Sequence, residues 1–279
     1  MIGSSAAGSA TAIVVTSTTP LWYLTRATGL IALVLLTASM ALGLLASVRY
    51  QSRRWPRFIT AGLHRNASLL ACAFTGVHII TTLADGFVPI RLQDVVIPFI
   101  SAYRPVWLGL GALAFDLMLA ATVTSLIRTR LSYRTWRLVH WTAYLWPVAV
   151  LHGLGTGSDT SVRWVLLLTL GCVAVVTGLV GWRLAYGWPS HPAARLMGAL
   201  VLVLALVAGG AWLAAGPLHP GWARRAGTPP SLLGGHGPSA AAAAGTRLAG
   251  TRLAGTGGSS APASARRAGI RRSARGGAG

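Results

Sequence analysis

The chain contains no lysine and no glutamate, and its only acids are Asp85, Asp94, Asp116 and Asp159. A chain of 279 residues with four carboxylates has few means of coating a soluble globule with mixed charge. It also offers few acids for paired-carboxylate chemistry. Two cysteines, Cys72 and Cys172, rule out a disulfide scaffold; both lie in apolar stretches without a CxxC, where a small thiol packs like any apolar residue. No CxxCH occurs, which excludes covalent haem attachment of the c type. The first twenty residues lack a basic stretch, so no cleaved signal peptide is expected.

What the chain does have is apolar surface. Hydrophobic residues make up 53% of it, charged residues 10%, and the mean hydropathy is +0.61. Those values describe a polytopic membrane protein. All 24 basic residues are arginine and the net charge is +20, yet nucleic acid is not the expected partner. Nine arginines lie beyond residue 217 in an acid-free tail, and most of the others sit between apolar segments. The charge therefore reads as membrane topology plus a basic tail.

Six apolar segments are long enough to cross a bilayer, for which about 20 residues suffice. They run over 21–48, 59–84, 104–127, 137–154, 163–184 and 194–215, which predicts an all-α polytopic helix bundle. A small polar stretch, 1–20, precedes them and is expected to be flexible. A low-complexity tail rich in Arg, Ala and Gly, 216–279, follows and is expected to be disordered. Arg49, Arg53, Arg54 and Arg57 fill one short loop; Arg128, Arg130, Arg134 and Arg137 fill another; Arg183 and Arg195 flank a third. Arginine-rich short loops stay cytoplasmic, which puts the N-terminus outside and suggests a bacterial-type plasma membrane. Six crossings then leave the tail outside despite its nine arginines. Long segments translocate largely regardless of charge, so the short loops decide; the other possibility is that 194–215 does not cross.

Four histidines stand out against this background. His64 and His78 lie 14 residues apart on the second segment, His140 and His152 12 apart on the fourth. An imidazole inside a membrane is costly unless partnered, and marks a functional site by default. The two segments run parallel, so His64 and His140 share the arginine-rich end and His78 and His152 the opposite end. The two levels are about 18–21 Å apart at ~1.5 Å rise per residue. A pair of imidazoles facing across a bundle is a natural axial site for a b-type haem. Zinc fits less well, because it takes four close ligands and no acid or cysteine accompanies either pair. Fourteen residues return His78 to within about 40° of the face of His64, but twelve leave His152 about 120° from His140 in a straight helix. Pro147 lies between them and can bend or re-register the segment. The bland alternative is four isolated imidazoles, each bonded to a backbone carbonyl. His191, His219 and His236 fall in a loop and the tail and call for no role.

The stretches LTRATGLIALVLLTASMALGLL and YRTWRLVHWTAYLWPVAVLHGLGTGSDT, with the pair His64 and His78, resemble the ferric reductase-like transmembrane domain. That family includes NADPH oxidases, iron-chelate reductases and the haem subunit of a bacterial methionine sulfoxide reductase. The resemblance covers roughly residues 21–184. It implies two haems b, with iron ligated by His64, His78, His140 and His152, and a haem-dependent transmembrane oxidoreductase or its membrane subunit. The oxidases and iron-chelate reductases carry a C-terminal FAD and NADPH domain; here a sixth apolar segment and the tail stand in that place, with no Gly-rich dinucleotide loop. Electrons are therefore expected from a separate flavoprotein or from quinol, to be passed to an outer acceptor that the sequence does not name.

Further candidates surround these ligands. Arg26, in the family's Leu-x-Arg-Ala context, suits a haem propionate or an acceptor at the outer level, or interfacial anchoring. Arg65 and Arg137 flank the inner pair and suit propionates there, or ordinary topology signals. Asp116, midway along the third segment, could take a ligand histidine's N–H, relay protons, or bond a hydroxyl as a neutral acid. Trp136, Trp141 and Trp146 could pack on porphyrins. The competing functions are a non-redox membrane scaffold or transporter, and a quinol-linked cytochrome of the b561 kind.

Overall fold

A computed structural model describes residues 20–47, 56–86, 88–157, 159–186 and 192–233. The loop arginines 49, 53 and 54, His191, His236, the stretch 1–19 and the repeats beyond 233 lie outside the described residues.

Among the described residues the chain is helical and without strands, as a bilayer requires of a chain that does not close a barrel. The helices are α1 (Pro20–Ser47), α2 (Arg57–Asp85), α3 (Leu92–Val96), α4 (Pro105–Leu126), α5 (Tyr133–His140), α6 (Pro147–Gly155), α7 (Arg163–Tyr186), α8 (Pro192–Ala215), α9 (Trp222–Arg225) and α10 (Pro230–Leu233). Local chemistry sets several ends. Gly86 closes α2 in the left-handed region at φ 62°, where a residue without Cβ carries no penalty. Pro105 opens α4, where its missing N–H would have been unpaired anyway.

Among the described residues five helices are long and apolar enough to span a membrane: α1, residues 58–85 of α2, α4, α7 and α8. The fourth expected crossing, 137–154, is not one helix. It is α5, a 3-10 turn over Trp141–Leu145, and α6. Pro147 causes the break. In a continuous helix the Ala143 carbonyl would accept from residue 147, which has no N–H; instead it accepts from Trp146 N at 3.1 Å. The azimuth of a straight rod therefore does not apply between His140 and His152.

α1 runs against α2 on one side and α7 on another, α4 packs on α3, α5 and α6, and α8 leans on α7. The core, Leu33, Trp146, Val150, Leu154, Cys172 and Val176, joins α1, α6 and α7. Hydroxyls buried near it bond back along their own helix, such as Thr37 Oγ1 to Leu33 O at 2.8 Å, whereas the buried Trp146 Nε1 has no hydrogen-bond partner among the described residues. α8 buries no residue and presents Leu196, Met197, Leu200, Val201 and Leu204 outward, the surface expected of a helix in lipid.

The chain after α8 departs from the expected tail. Residues 216–233 fold back as α9 and α10 over the end where α4 begins and α6 ends. Trp222 donates from Nε1 to Gly155 O at 2.9 Å, and its ring lies 5.3 Å from Trp107 and 6.1 Å from Trp212. The buried Arg104 donates from Nε to Thr228 Oγ1 at 2.9 Å and from Nη1 to Thr156 O, while its N–H bonds Gly227 O at 3.1 Å. The tail's polar composition concealed two anchors, the indole and the arginine's carbonyl bonds. Burial pushes the neighbouring Tyr103 phenol upward, partly opposed by the Arg104 charge, so it stays neutral at physiological pH.

Candidate functional site

The four histidines lie at two levels of the bundle, and two of them, His64 and His140, are in ring contact. At the arginine-rich end the ring centres of His64 and His140 are 6.1 Å apart with planes at 80°. At the other end lie His78, held by Thr25 O of α1, and His152, held by Trp107 O of α4. All four imidazoles are half-buried.

Each ring is held at one edge. His64 Nδ1 bonds Ser39 O of α1 at 2.9 Å, with Ser39 Oγ at 3.3 Å. His78 Nδ1 bonds Thr25 O of α1 at 2.8 Å, and His152 Nδ1 bonds Trp107 O of α4 at 2.8 Å. A carbonyl can only accept, so each of these three Nδ1 atoms carries the proton, and Nε2 at the far edge keeps a free lone pair. His140 differs: its Nδ1 faces Ser125 Oγ at 3.4 Å, and its ring stacks on Trp136 at 5.1 Å between centres.

The backbone makes room for the three carbonyl bonds. Four residues beyond each accepting carbonyl stands a glycine: Gly29 after Thr25, Gly43 after Ser39, Gly111 after Trp107. A Cβ at Gly111 would lie 2.5 Å from His152 Nδ1, at Gly29 2.9 Å from His78 Nδ1, and at Gly43 3.3 Å from His64 Cε1. The carbonyl's first lone pair serves the helix; the second is open to the imidazole because the residue one turn on has no side chain.

These features fit a bis-imidazole metal centre. Second-partner bonds of this kind fix tautomer and ring orientation in ligating histidines. Two imidazoles on opposite sides of one metal ion, with bonds of about 2 Å, hold their ring centres about 6 Å apart. Among the described residues no cluster of three or more His, Cys, Asp or Glu is placed to hold a bare metal ion. A group that supplies its own equatorial ligands, as haem does, would suit donor sets of two imidazoles each.

The other expected site residues are placed unevenly. Arg26 donates to Ser161 Oγ at 3.0 Å and lies 5.3 Å over Trp22, at the level of the His78 pair. Arg65 is exposed beside His64, and Arg137 lies 4.8 Å over the Trp141 ring, so both stay at the arginine-rich end. Asp116 is half-buried in α4, and among the described residues no hydrogen bond joins it to an imidazole. The histidine Nδ1 atoms are already committed to carbonyls and to Ser125, which leaves Asp116 no N–H to accept. Trp136 stacks on His140, whereas Trp146 belongs to the core. Sequence reasoning missed the carbonyl cradles and Ser125. One signal was available: Gly29 and Gly43 are 14 residues apart, the interval of the histidines they face.

A helix bundle that crosses the membrane and sets two histidine pairs at its two ends defines a class, the integral membrane proteins built around paired imidazoles. Residues 28–151 match the family model described as ferric reductase like transmembrane component. No curated protein and no solved structure matches the chain.

Proposed function

We propose that the protein is a transmembrane electron carrier holding two b-type haems, one between His64 and His140 and one between His78 and His152. Bound haem iron supplies one-electron redox chemistry at each level. The protein's own residues do the rest. Backbone carbonyls of Thr25, Ser39 and Trp107 keep three Nδ1 atoms protonated, so that the three Nε2 atoms would be left to hold the haems. The break at Pro147 lets one segment serve both levels. Electrons enter at the arginine-rich, cytoplasmic side from a separate flavoprotein or quinol and leave at the outer side toward an acceptor. Arg26 would meet a propionate or acceptor at the outer level, and Arg65 and Arg137 propionates at the inner one. The N-terminus faces outward.

The observation that carries this reading is the pairing of imidazoles across the bundle, with the ring centres of His64 and His140 6.1 Å apart. The carbonyl bonds add to it by fixing the tautomer and orientation of three of the rings. The test is a visible spectrum of the purified full chain, oxidised and reduced, with haem measured per polypeptide. Two haems of b type are expected, and one in the His78→Ala, His152→Ala double variant. A colourless chain from haem-replete cells refutes the reading in favour of a membrane scaffold. Reduction by quinol without any flavoprotein identifies the donor.

A further inference from the structure

The cradle repeats every 14 residues along α1, as Thr25/Gly29 and Ser39/Gly43. Along α4 the same step from Trp107/Gly111 arrives at Ala121/Ser125. Three of the four cradle positions hold glycine; the fourth holds serine, and it is the one that faces His140. The Ser125 hydroxyl donates to Ala121 O at 2.7 Å, taking the lone pair that an imidazole takes in the other three cradles. The same oxygen faces His140 Nδ1 at 3.4 Å and accepts from Trp136 Nε1 at 3.3 Å. His140 is therefore oriented through a neutral hydroxyl shared between two donors, and not by a carbonyl of its own.

We infer that Ser125 is a positioning residue that raises the reduction potential of the inner haem site above the value a fourth carbonyl cradle would set. This rests on the haem reading given above. A strong acceptor on Nδ1–H pushes electron density onto the imidazole and makes it a more basic ligand, which favours oxidised iron. A shared hydroxyl at 3.4 Å does this weakly. Trp136, stacked on the ring and bonded to the same oxygen, holds the weak arrangement in place.

Two substitutions at this one position move the potential in opposite directions. Ser125→Gly opens the Ala121 carbonyl to His140 Nδ1 and lowers the inner midpoint. Ser125→Ala removes the hydroxyl while its Cβ still covers the carbonyl, leaves Nδ1–H without a protein acceptor, and raises it. Ser125→Thr keeps the hydroxyl and restores the parent value. The measurement is a potentiometric titration of the full-length chain followed at the reduced haem bands. The inner component is identified as the one lost in His64→Ala, and the His78/His152 component serves as the internal reference. Opposite shifts confined to the inner component support the inference. Two bound haems with an unmoved inner midpoint, or the same sign of shift in the glycine and alanine variants, overturn it and leave the haem reading intact. A parent chain that binds no haem overturns both.

Discussion

Replacing Gly111 by alanine adds one methyl group where the structure leaves none to spare. Its carbon would sit 2.5 Å from His152 Nδ1 and 2.6 Å from Cε1, whereas ordinary contact starts near 3.4 Å. The imidazole has to retreat by roughly an ångström, and it is held by a single bond of 2.8 Å to Trp107 O. A hydrogen bond stretched that far is no longer one. Its net loss is about 1 kcal/mol, and crowding in a packed site costs about 1–3 kcal/mol. The low end of that sum, about 2 kcal/mol, corresponds to about 30-fold in affinity, within the about 10–100-fold range for loss of a metal ligand's hydrogen-bond partner. The expected outcome is thus a selective weakening of haem at the His78/His152 level, by about 30-fold, with the inner haem retained. The assay is haem titration into the depleted chain, with haem per polypeptide as the second readout.

The prediction has an internal ruler. Gly29→Ala, at 2.9 Å from His78 Nδ1, should weaken the same haem less, and Gly43→Ala, at 3.3 Å from His64 Cε1, should barely touch the inner one. Gly76→Ala has nothing within 4 Å and should stabilise α2 slightly, since alanine is preferred to glycine inside a helix by about 1 kcal/mol. The order 111, 29, 43, 76 follows from distances alone. A Gly111→Ala chain that holds two haems with the parent's affinity refutes the cradle as the device that orients these ligands.

Two further outcomes follow from other contacts. Trp222→Ala removes the bond to Gly155 O and the ring contacts with Trp107 and Trp212, so thermal unfolding should register a loss of about 2 kcal/mol. Haem retention should fall at the His78/His152 level only, because Trp107 also carries the carbonyl for His152; equal loss at both levels contradicts this. Asp116→Asn should leave haem content and both midpoints unchanged, as no described hydrogen bond ties Asp116 to an imidazole; a midpoint shift would restore it to the ligand set.

The helices were legible in the sequence because bilayer thickness fixes the length of an apolar run. The crossings at 21–48 and 104–127 differ from α1 and α4 by about one residue at each end. The approach of His64 to His140 was legible too, since parallel segments with similar intervals leave few other partners. What escaped was chemistry that composition does not encode. Low complexity suggested that the tail begins at 216, yet an indole and a buried arginine pin it down as far as Thr228. Charge directed attention to Asp116 as the group that would orient a histidine, because acids are the side chains that most visibly accept an N–H. In a membrane helix the backbone carbonyl is the commoner acceptor, and a carbonyl leaves no letter in the sequence. It becomes visible only through the residue one turn further on, which must lack a side chain. Gly29, Gly43 and Gly111 therefore say more about how the ligands are held than any charged residue in the chain, and Ser125 is informative because it breaks their pattern.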